Sequence, residues 1–97
     1  MVEEDWVPLR KGISRKNLAK DTDRGYQMDL LRIEPGFIDK GHYHGDYEWV
    51  YVLEGSLEDE KGLHKKGDFF INEKGGPHQP KSKDGCLLLI FLSLIHI

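Results

Sequence analysis

The hydrophobic positions of this chain come in short runs that alternate with polar residues and stop at glycine or proline. Residues 26–34 (YQMDLLRIE) end at Pro35-Gly36, residues 47–54 (YEWVYVLE) end at Gly55, and residues 69–72 (FFIN) are framed by Gly67-Asp68 and Gly75-Gly76-Pro77. Each run has the length of a strand and turn-forming residues at its ends. Eight of the eleven glycines fall between residues 36 and 76, which spaces the turns closely. Helical spacing is offered by residues 13–20 (ISRKNLAK) alone, where Ile13, Leu18 and Ala19 form too thin a stripe to hold a helix on a core. The pattern predicts an all-β fold, a small antiparallel barrel or sandwich.

Two runs depart from simple alternation. Trp49, Tyr51 and Leu53 interleave with Val50 and Val52, and residues 87–92 (LLLIFL) contain no polar position. A strand in a small two-layer domain fills the core with one face, so a second apolar face needs a cover. The expectation is a homodimer, with a central strand covered inside one chain as the alternative. Residues 1–24 are more polar and read as an N-terminal arm with one or two edge strands, which leaves residues 26–95 as the barrel core of a single domain spanning residues 1–97.

Composition narrows the partners. Ninety-seven residues allow one domain with a modest core. Fourteen Lys and Arg against seventeen Asp and Glu, with no basic run, exclude a nucleic-acid partner. The apolar residues 86–97 are interrupted by Ser93 and His96 and fall short of the roughly 20 residues of a membrane helix. The acidic opening at residues 3–5 is unlike a signal peptide, and the single Cys86 cannot close an intrachain disulfide. A cytoplasmic protein with no membrane partner is expected.

Candidate chemistry concentrates between residues 36 and 48. Residues two apart on a strand share a face, so His42 and His44 stand about 7 Å apart along the backbone, close enough for both imidazoles to reach one ion. Continued extension would carry Glu48 a further ~13 Å away. A turn at Gly45-Asp46 instead brings Glu48 back beside the two histidines on a returning strand. A second hairpin at Gly75-Gly76-Pro77 presents His78 as a fourth donor. Three imidazoles and one carboxylate suit a divalent transition metal, and they leave such an ion with about one net positive charge, which favours an anionic or enolate ligand. His64, in the charged residues 61–66, and His96, next to the terminus, read as solvated side chains. Cys86 reads as a small core residue without a chemical role.

These residues resemble the cupin family. Its first motif, Gly-x5-His-x-His-x3-Glu-x6-Gly, is matched by Gly36, His42, His44, Glu48 and Gly55. The second, Gly-x5-Pro-x-Gly-x2-His-x3-Asn, is matched by Gly67, Gly75 and His78, with Glu73 in place of proline and Ser82 in place of asparagine. Those two departures touch no candidate ligand; they bear on the rigidity of the turn before His78. Flanking segments such as Leu31-Arg32-Ile33-Glu34-Pro35-Gly36 and Lys66-Gly67-Asp68 are similar to ChrR-like cupins, which include an anti-sigma-factor domain and relatives of acetylacetone and dihydroxyacetophenone dioxygenases. The resemblance implies a single cupin, usually dimeric, with one divalent transition metal (iron, manganese or zinc) per chain held by His42, His44, Glu48 and His78.

Fold resemblance does not fix activity. The leading expectation is a dioxygenase-like enzyme acting on a small carbonyl or enolate compound, with Tyr43, Tyr47 and Arg32 as further substrate contacts. The alternative is a non-catalytic metal- or ligand-binding module, sensory or regulatory. A metal-free sugar isomerase using His and Tyr as acid and base is opposed by the intact set of ligand positions.

Overall fold

The structure is a computed structural model that describes residues 5–39, 42–43, 47–73 and 77–94, with residues 42, 43, 77 and 78 described by backbone alone. The described residues form strands β1 (Val7–Arg10), β2 (Ile13–Asp21), β3 (Tyr26–Ile33), β4 (Phe37–Ile38), β5 (His42–Tyr43), β6 (Glu48–Asp59), β7 (Gly62–Lys65), β8 (Phe69–Asn72), β9 (Pro77–His78), β10 (Lys81–Ser82) and β11 (Cys86–Ser93). All pairings are antiparallel. The order β1-β2-β3-β11-β6 continues through β10 to β4, while β7 and β8 also pair with β6, and β5 pairs with β9 in a separate ribbon. Residues 13–20 lie within strand β2, as their thin apolar stripe allows. Among the described residues no helix is long and apolar enough to cross a membrane.

Strand β6 organises this arrangement. Its first half pairs with β11 on one side and β8 on the other; its second half pairs with β7, and Glu58 pairs with Lys81 of β10. Gly55, expected to end the strand, instead lies inside it. Its φ is +75°, and a β-carbon there would sit 2.9 Å from Cys86 Cα and closer still to the Gly85 carbonyl oxygen. Only glycine permits both that dihedral and that approach. The register with β11 slips at this place, where Leu87 faces Glu54 but Leu88 faces Val52. Such an irregularity bends a strand and increases its twist.

Alternation along the strands gives one inner face. Val50 and Val52 of β6, Leu88 and Ile90 of β11, and Ile13 and Ile33 of β2 and β3 are buried together with Leu57 and Cys86. The opposite faces carry an aromatic file: Tyr26 stacks on Phe91 at 6.0 Å between ring centroids, Trp49 meets Phe91 edge-on at 5.8 Å, and Tyr47 lies 6.4 Å from Trp49. Tyr51, Phe69 and Phe91 remain exposed beside it.

Replacing Gly55 by alanine should therefore destabilise the fold by about 1–3 kcal/mol from backbone strain alone, with the overlap at Gly85 adding to that. A denaturant titration showing an unchanged midpoint for Gly55→Ala would contradict this account of the β6–β11 contact.

Candidate metal centre

Glu48 opens strand β6 with the same parity as Val50 and Val52, and so it falls on the inner side. There it lines a cavity of about 240 Å³ whose walls include Val50, Phe70, Leu88 and Ile90. Its direct cross-strand partner is Asn72 of β8. Asn72 is buried, and its Nδ2 donates a 2.8 Å hydrogen bond to Glu48 Oε1. An amide donor on one carboxylate oxygen fixes the group's orientation, the usual device by which an outer partner aims a ligand.

The ribbon β5–β9 opposes His42 to His78 and Tyr43 to Pro77. Directly opposed residues of an antiparallel pair lie on the same side of the ladder. His44 and the Gly45-Asp46 turn lie outside the described residues, as do the side chains of His42, Tyr43 and His78. Glu48 is thus the one of the four candidate ligands whose side chain is described, and no cluster of three potential metal-binding side chains occurs among the described residues.

The two remaining sequence candidates fall elsewhere. Arg32 has the parity opposite to Leu31 and Ile33, and its guanidinium lies over the Trp6 ring at 4.1 Å, away from the cavity. Tyr47 is exposed and packs toward Trp49. The polar residues that do line the cavity, besides Glu48 and Asn72, are Arg15, Asp29 and the ion-paired Arg10 and Asp39. Asp29 is buried, with Oδ1 accepting from Asn17 Nδ2 at 2.9 Å and Oδ2 from Gln27 Nε2 at 2.8 Å. The signal for Arg15 and Asn72 was strand parity: each lies two residues from an inward apolar position, Ile13 and Phe70 respectively.

A curled antiparallel sheet whose inner face lines a half-open, largely apolar cavity with Glu48 on its wall defines a small cupin. A family model of the ChrR cupin-like domain matches residues 1–96, and the chain belongs to that family. Comparison with curated protein sequences gives no significant match. Among solved structures, the chain is similar to the anti-sigma ChrR of Rhodobacter sphaeroides in complex with SigE, with 26% identity and a TM-score of 0.81 over 91% of this chain and 49% of the other. An acetylacetone dioxygenase from Acinetobacter johnsonii shares the fold at 12% identity and a TM-score of 0.82, over 96% of this chain and 70% of the other. An RmlC-like cupin from Ralstonia eutropha does so at 20% identity and a TM-score of 0.78, over 91% of this chain and 62% of the other. The chain therefore spans about half of the ChrR chain and less than two thirds of the Ralstonia protein.

Two residues outside the centre behave differently from one another. His64, expected to be solvated, is largely buried: its Nε2 lies 3.0 Å from Asp59 Oδ1 and its ring stacks on Phe70 at 3.8 Å. Cys86 is a buried member of the core, and burial pushes its thiol up to about 11 from an ordinary 9.0, against a smaller opposing effect of the neighbouring Ser82 side chain. Ser82, at the position of the motif asparagine, is itself buried and donates to the Ser56 carbonyl at 2.6 Å. Because the folded thiol holds its proton more tightly than the unfolded one, its contribution to stability is complete below pH 9 and is lost as pH rises through about 11. Near pH 8, Cys86 should react with a thiol reagent only at the rate of unfolding; stoichiometric labelling of the native protein within minutes would contradict its placement.

Proposed function

We propose that this cupin binds one divalent transition metal, iron, manganese or zinc, through His42, His44, Glu48 and His78, and acts as a dioxygenase-like enzyme on a small carbonyl or enolate compound. The observation that carries the reading is the pairing of His42 with His78 in one ribbon, together with Glu48 held by Asn72 on the wall of a half-open cavity. Carboxylate and imidazole donors fit such an ion. When bound, it would supply a Lewis acid and a redox centre. The chain's own share is to orient Glu48 through Asn72 and to offer the reacting molecule a largely apolar wall that includes Val50, Phe70, Leu88 and Ile90. The similarity to acetylacetone dioxygenase supports this reading at the level of the fold.

A second reading is a metal- or ligand-binding module without turnover. It is favoured by the closer sequence identity to ChrR, which was solved in complex with SigE. Either reading is compatible with a homodimer, which we propose forms through the outer aromatic face, since Phe69 is 63% exposed and Tyr51 40% exposed on a single chain.

Protein produced with iron, manganese and zinc all supplied, and purified without chelator, should contain close to one metal per chain. The double variant His42→Ala, His44→Ala should contain almost none; equal metal content in both would end the proposal. Near-stoichiometric iron or manganese with oxygen uptake on a diketone would select the enzyme over the module. For the dimer, sedimentation should give twice the chain mass for the wild type and the chain mass for Phe69→Asp, and a wild-type monomer would refute it.

A further inference from the structure

We propose that Arg15 is the anion-recognising residue of the cavity, and that the ligand class is a small oxo acid whose carboxylate is held by Arg15. This deepens the proposed function and rests on its site. Arg15 lies on β2 two residues after the buried Ile13 and directly across from Leu31, so it belongs to the same inner file as Ile13, Ile33 and Leu31. It is half-buried and lines the cavity that also holds Glu48. Among the described residues it has neither an ion pair nor a side-chain hydrogen bond.

The other charged groups on the cavity wall are provided for without it. Arg10 is paired with Asp39. Asp29, the diagonal neighbour of Arg15 across the β2–β3 pair, takes its hydrogen bonds from the neutral amides of Asn17 and Gln27. Glu48 takes one from the amide of Asn72. Amides thus donate to both Asp29 oxygens and to Glu48 Oε1, while Arg15 lines the same cavity and takes part in none of these contacts. A guanidinium never loses its proton in a protein, and its fork matches a carboxylate in two parallel hydrogen bonds. A volume of about 240 Å³ lies below the range usual for drug-sized ligands. It suits a small acid with its carboxylate at Arg15 and its apolar part against Val50, Leu88 and Ile90.

The test titrates the zinc-loaded full chain with pyruvate, levulinate and 5-oxohexanoate, each against its own methyl ester, by calorimetry, with zinc content measured on every sample. At least one acid should bind about ten- to a hundredfold more tightly than its ester, the worth of charge-assisted hydrogen bonds. Arg15→Gln should abolish that preference while zinc content stays unchanged, and Arg15→Lys should restore part of it. Equal binding of acids and esters, no acid binding at millimolar concentration, or a preference that survives in Arg15→Gln would each overturn the proposal. A wild type that takes up no zinc would count against the metal reading instead, and the acid–ester comparison on that same sample would still judge Arg15.

Discussion

The contact on which most of the molecule depends is the backbone approach of Gly55 to Gly85 and Cys86. It lets strand β6 run for twelve residues through a bend, serving β11 and β8 with one half and β7 and β10 with the other. No side chain could occupy that space, and no ordinary residue favours that dihedral. Because β6 is shared, the bend sets the position of the core residues Val50, Val52 and Leu57 and of Glu48 at the strand's start. The carboxylate on the cavity wall is carried by the same strand that supplies the centre of the core.

The strands were legible because strand-sized apolar runs and turn residues are local features. Residues 69–72 and the strand beginning at Cys86 are found where the pattern places them. The end of β6 was not legible: a glycine that breaks a strand and a glycine that bends one against a neighbour look alike until the neighbour, thirty residues on, is in place. His64 shows the same limit, since its burial comes from Phe70 and Asp59 across a hairpin and not from the charged residues beside it.

The cavity wall was legible only in part. Spacing nominates Glu48 together with the histidines; of these the structure describes the side chain of Glu48 alone, on the cavity wall. Which arginine faces the cavity depends on strand parity, which composition does not reveal. Arg32 lies within the family-like segment yet stacks on Trp6 outside, whereas Arg15, in a segment with a helix-like stripe, faces inward. For Asn72, parity with Phe70 marks the face, but its role comes from a cross-strand pairing with Glu48.

Glu48, Val50 and Val52 share one parity on a single strand, and Asn72 and Phe70 share the matching parity on β8. Deleting or inserting one residue between Glu48 and Val50 would turn the carboxylate to the aromatic side while leaving every residue type intact. A one-residue change of length is therefore better borne by the hairpin connections than by the stretch of β6 from Glu48 to Val52. Substitution can retune the chemistry here one residue at a time, but the spacing itself is inherited as a unit.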